Sequence, residues 1–235
     1  EVTTDVEKQL NEQLRPEHVL LRQRFEDRFQ SAFAAALRKR DQGTDVTRVS
    51  VKIFYSHHAT DEDLYGLREE IRQDSLDVYV PEAFGWKQKD IDLFMQSSFG
   101  EITPEELDTS LKKYKPPFSK SIRDIYYFHM PVMIIDVPAS HRLKKESDEA
   151  WKYEAPLESD FSEALNYTRT FLNSLAARQN EREDYMLSQI TPEKAEELIE
   201  TYHGLFVNKK EINILLSLGL GHAPLPYDYP ELSLM

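Results

Sequence analysis

The run Ile212-Asn213-Ile214-Leu215-Leu216-Ser217-Leu218, leading into Gly219-Leu220-Gly221-His222, decides the fold. It is almost continuously aliphatic and shows little polar alternation, which predicts a strand buried on both faces. Strands of this kind belong to parallel sheets covered by helices. Working outward, three further stretches read as strands. Val46 to Tyr55 is rich in β-branched and aromatic residues. Leu76 to Val80 ends at Pro81-Glu82, and Val132 to Val137 is closed by Pro138.

Helical patterns separate them. Val19, Leu20, Phe25, Phe29, Ala32, Phe33, Ala36 and Leu37 recur at helical spacing between Pro16 and Arg40. Pro16 suits a first helical position and Asp41-Gln42-Gly43 a helix end. Thr60 is a candidate N-cap, with Asp61, Glu62 and Asp63 in the turn that the helix dipole favours for acids. Lys87 to Phe99 and Ser119 to His129 are helical, and Ser162 to Ile190 reads as one long helix. Thr103-Pro104-Glu105-Glu106 and Thr191-Pro192-Glu193 are helix starts. Arg142 to Asp160 is charged and reads as a loop or frayed helix. The expectation is an α/β fold with a mainly parallel central sheet, helices on both faces and a long helical N-terminal segment. It forms one domain over 1–235, with 1–45 helical and 46–235 containing the sheet.

Composition narrows the function. With 29 basic and 42 acidic residues the net charge is −13, a field that repels nucleic acid and anionic membranes. No apolar run reaches the roughly 18 residues of a membrane span. The opening Glu1-Val2-Thr3-Thr4-Asp5 lacks the features of a signal peptide, although a cleaved one leaves no trace. The expectation is a soluble protein, cytoplasmic or exported after signal removal. Cysteine is absent, which excludes disulfides, thiolate nucleophiles and cysteine-ligated metal centres.

In open parallel sheets, ligands bind beyond the carboxyl ends of the strands. His57 and His58 follow the first strand, Glu82 the second, Asp136 lies near the end of the third, and His222 follows the fourth. Such a set can hold a divalent metal or act as a general acid–base pair. Two glycines before His222 point to close backbone approach. The aromatics Tyr65, Tyr79, Phe84, Trp86, Phe94 and Phe99 read as core. His18, His129, His141 and His203 read as surface or helix-end residues.

The order of these motifs resembles that of the superfamily containing TIKI/TraB proteins, erythromycin esterases and ChaN-like haem-binding proteins. Tyr55-Ser56-His57-His58 matches a strand-end G-E-x-H motif, with Tyr55 and Ser56 in place of the glycine and glutamate. Val80-Pro81-Glu82-Ala83-Phe84 matches the E-M-F-like motif, with Gln88, Ile91-Asp92 and Gly100-Glu101-Ile102 following. Pro131 to Pro138 matches P-V-x-x-x-N-x-P. Arg182-Glu183-Asp184-Tyr185-Met186 matches R-[ND]-x-x-M, and Gly219-Leu220-Gly221-His222 matches G-x-G-H. The resemblance spans Val51 to Pro226. It implies an α/β sheet with helices on both sides and a catalytic set of His58, Glu82, Arg182 and His222.

Three readings follow. The first is a hydrolase of ester or peptide bonds, metal-free or with a metal on His58, Glu82 and His222. The second is a haem- or small-ligand-binding protein using His57, Tyr55 and Asp136, with Phe84 and Trp86 against the ligand. The third is a non-catalytic interaction module.

Overall fold

The computed structural model describes residues 2–40, 48–56, 61–73, 75–114, 116–150, 161–206 and 209–219. The sheet in it is parallel. Strand β1 (Arg48–Ser56) pairs with the central strand β3 (Glu211–Gly219) over its whole length, Arg48 opposite Glu211 and Ser56 opposite Gly219. The short β2 (Val78–Val80) pairs with the other side of β3, Val78 opposite Ile214. The order is β1-β3-β2. All three strands point the same way, so their carboxyl ends share one edge.

The strand expected over Val132–Val137 is a correction. This stretch joins the sheet by a single parallel bridge from Val132 to Tyr79. The Tyr79 N–H donates to the Pro131 carbonyl (2.8 Å) and the Met133 N–H to the Tyr79 carbonyl (3.1 Å). Beyond that, side chains take the backbone groups that a ladder would use. Lys194 Nζ donates to the Ile134 carbonyl (3.0 Å), and the Val137 N–H donates to the carboxylate of Asp136 (2.7 Å). The segment is extended but is not a strand.

Helices supply most of the chain: α1 (Val2–Arg40), α2 (Asp61–Ile71), α3 (Gln88–Phe99), α4 (Pro104–Leu111), α5 (Pro116–Phe128), α6 (Arg142–Ala150), α7 (Phe161–Gln189), α8 (Pro192–Thr201) and the short α9 (His203–Phe206). Three expectations change. Helix α1 starts at Val2, so Pro16 is interior and removes one intrahelical hydrogen bond. The start of the charged stretch is helix α6, where Arg142 and Lys144 reach Glu146 and Asp148 at i,i+4 spacing. Tyr65 is exposed rather than core. Helix α7 runs unbroken for 29 residues. Both Thr-Pro-Glu starts hold. Thr103 accepts from the Glu106 N–H (3.3 Å) while Glu106 accepts from the Thr103 N–H (3.0 Å), and Thr191 accepts from the Lys194 N–H (3.4 Å). The Thr60 and Asp41-Gln42-Gly43 readings lie outside the described residues.

Alternation along β3 divides its apolar side chains between two clusters. Ile212, Ile214, Leu216 and Leu218 pack with Phe25, Phe29 and Phe33 of α1, Met186 of α7 and Leu198 of α8. Leu215 packs with Tyr79, Ile71 of α2, Phe94 of α3, Leu107 of α4 and Ile125 of α5. Helix α1 also covers the outer edge of β1. Gln30 accepts from the Val49 N–H (2.6 Å) and Glu26 from the Val51 N–H (3.1 Å), groups that would otherwise template another strand. Among the described residues, no helix is long and apolar enough to cross a membrane.

Candidate functional site

Where β2 ends, the chain turns through Pro81 and Glu82 beside the extended run that ends at Asp136. The Ala83 N–H donates to Asp136 (3.0 Å) and the Gly85 N–H to the Val137 carbonyl (2.7 Å), which ties the two exits together. Gly85 has φ +73°, a left-handed conformation that glycine adopts without strain, and the Lys144 side chain fills the space a Cβ would need. This turn lays the Phe84 ring over the guanidinium of Arg182, 4.3 Å from centroid to Cζ. Lys144 lies over the same ring at 5.5 Å.

Arg182, from the C-terminal third of α7, joins the two exits. Its Nε and Nη2 bond the two oxygens of Asp136 at 2.9 and 2.5 Å, a bidentate fork. Nη2 also reaches Glu82 Oε1 at 2.9 Å. The Asp136 side chain is fully buried and those of Arg182 and Glu82 nearly so. Each Asp136 oxygen accepts twice, once from the backbone and once from Arg182. Burial works against the charge on Arg182. The hydrogen bonds and charge of Asp136, then Glu82, outweigh it and hold the guanidinium above its ordinary range. Arg182 Nη1 has no hydrogen-bond partner among the described residues.

The next residue, Glu183, faces a different neighbour. It is buried, and burial raises its carboxyl to about 7. Asp184 adds to the rise. Arg24 of α1, with Nη1 3.8 Å from Oε2, and Arg182 oppose it only in part. Tyr55, near the end of β1, is pushed well above the usual phenol range, first by burial and then by the charge of Glu183. Tyr185, one turn of α7 beyond Arg182, is raised by burial and by Asp136, and its ring packs on His141 at 4.7 Å.

The described residues therefore bring Glu82 and Asp136 together on Arg182, and the next residue, Glu183, acts electrostatically on Tyr55. His57, His58 and His222 lie outside the described residues. The last described residues of their strands, Ser56 and Gly219, are register partners. Glu183 is the residue that the sequence reading missed as a site residue. Its one signal was its place directly after Arg182, where the resembled motif carries Asn or Asp. His141, read as a surface or helix-end residue, stands at the start of α6, where it accepts from the Leu143 N–H (3.3 Å) and packs on Tyr185.

Among the described residues, no group of three His, Asp or Glu side chains is placed to hold a metal ion. The cation that Asp136 and Glu82 share is the Arg182 guanidinium. Of the expected ligands only Glu82 is described. The aromatics of the haem reading have protein partners: Trp86 packs on Phe94 at 4.6 Å, and Phe84 on Arg182. Comparison with family models, curated proteins and solved structures finds no match.

Proposed function

We propose that the protein is a hydrolase-like member of the TIKI/TraB, erythromycin-esterase and ChaN-like superfamily, cleaving a small ester or peptide at the carboxyl ends of its strands. In this reading one domain spans 1–235 and helices cover both faces of its sheet. The observation that carries it is the buried Arg182, held between Glu82 and Asp136 at two adjoining chain exits, with a carboxyl that titrates near neutrality on the next residue. Perturbed groups gathered at such an edge are what acid–base chemistry needs.

Glu183 is the proposed base. The resembled motif has its glutamate at the position of Ser56, directly after Tyr55. Glu183 acts electrostatically on Tyr55 from the helix side, so it supplies a carboxylate near the point where β1 lacks one. Ionised Glu183 takes a proton from water and the hydroxide adds to the substrate carbonyl carbon. Arg182 Nη1 donates to the carbonyl oxygen as it gains negative charge. The proton then passes to the leaving alkoxide or amine as its bond to carbon breaks. Asp136 and Glu82 fix the guanidinium; they are positioning residues. By resemblance, His58 and His222 are further proton carriers.

Glu82, the one described member of the expected metal set, is paired with Arg182, and the reaction as proposed uses water activated by Glu183 alone. The haem reading is the alternative, and a haem titration followed by absorbance separates the two. The main test is a panel of chromogenic esters and peptides offered to the wild type, Glu183→Gln and Arg182→Lys. Turnover in the wild type, reduced about 100-fold or more in both folded variants, is expected. Absence of turnover across the panel, or variants as active as the wild type, contradicts the reading.

A further inference from the structure

A cavity of about 170 Å³ lies between α3, α8 and the extended run from Val132 to Ile134. Glu82, Asp136, Arg182 and Glu183 do not line it. Met95 and Phe99 of α3, Leu198 of α8, and Val132 and Ile134 give it an apolar lining. Lys194, in the first turn of α8, also lines it.

The lysine is the unusual member. Its Nζ donates to the Ile134 carbonyl at 3.0 Å and to Gln189 Oε1 at 3.3 Å, both neutral acceptors. An ammonium has three N–H donors, so one is left over. No carboxylate lies within ion-pair distance of it among the described residues. Burial pushes Lys194 below its ordinary range, and the charge of Glu197, exposed at the rim one turn along, offsets this only in part. A half-buried cation without an anionic partner is costly, and an anion brought into the cavity relieves that cost.

We propose that this cavity binds a small amphiphilic monocarboxylate. Its carboxylate sits on Lys194 Nζ and its hydrocarbon body lies among Met95, Phe99 and Leu198. Lys194 and the apolar walls together supply the one charged and several apolar contacts typical of a small-molecule site. Glu197 at the rim disfavours a second negative charge on the ligand.

The test is calorimetric titration of the full chain with hexanoate and with hexan-1-ol, the same body without the charge. Hexanoate is expected to bind at one site, at least about tenfold more tightly than the alcohol. Lys194→Met should lose about tenfold or more, and Lys194→Arg should restore binding to within a few-fold. Thr201 lines the cavity from the exposed last turn of α8, so Thr201→Trp should block entry while leaving the circular dichroism spectrum unchanged. If Lys194→Met does not fold, the alcohol comparison and Thr201→Trp decide. No hexanoate binding to the wild type, equal binding of acid and alcohol, or undiminished binding to a folded Lys194→Met or Thr201→Trp protein overturns the proposal.

Discussion

Arg182 and Glu183 are neighbours in sequence with opposite electrostatic situations. Arg182 is buried with its counter-charges, and Glu183 is buried with too little opposing charge to stay ionised below neutrality. Removing Arg182 would leave Asp136 charged and buried. Arg182→Met is therefore expected to lose about 3–5 kcal/mol in urea denaturation, and adding Asp136→Asn should recover part of it. Glu183 has the reverse consequence. Folded, it keeps its proton up to about pH 7; unfolded, it loses it near 4.5. Between those values the native state holds the extra proton. Its contribution is fully present below the unfolded pKa and is lost as pH rises through the folded one, on the order of 3 kcal/mol. Glu183→Gln should thus flatten the fall in stability between pH 4.5 and 7 and leave a variant more stable than wild type above it. Parallel pH–stability curves for the two proteins would contradict this.

At the scale of elements, β1 and α1 depend on each other. Phe25, Phe29 and Phe33 lie one helical turn apart and are fully buried on one face of α1. Phe29→Ala should cost about 3–5 kcal/mol. Gln30 tests the edge contact separately. Gln30→Ala deprives the Val49 N–H of its acceptor, and a loss of about 1–3 kcal/mol is expected, read by the midpoint of chemical unfolding. Helix starts were legible because a capping box is local: Thr103 and Glu106 meet three residues apart. The run from Val132 to Val137 was misread because its β propensity is local, whereas its backbone partners are not. Lys194 is 60 positions from the carbonyl it takes. The sequence leaves α6 open between loop and frayed helix because its support is charged pairs rather than an apolar stripe.

For the whole molecule, the parallel strands and the edge they share could be read from aliphatic runs, as could Glu82, Asp136 and Arg182 from motif order. Glu183 could not, because its raised pKa comes first from burial in the folded chain, which Arg24 of α1, remote in sequence, opposes only in part. The net charge of −13 acts on everything at once. Moderate salt should raise Tm by screening this repulsion. A fall in Tm would mean that exposed ion pairs such as Lys39–Glu196 and Lys52–Glu70 matter more. If a strand-edge site takes its base from α7, the pH dependence of turnover must follow Glu183. The most direct measurement is kcat/KM against pH for the ester or peptide that the panel identifies, in wild type and Glu183→Gln. The expected result is a rate that rises through an inflection near pH 7 in the wild type and a low rate without that inflection in the variant. A wild-type profile flat through neutrality, or an inflection that survives in Glu183→Gln, would contradict it.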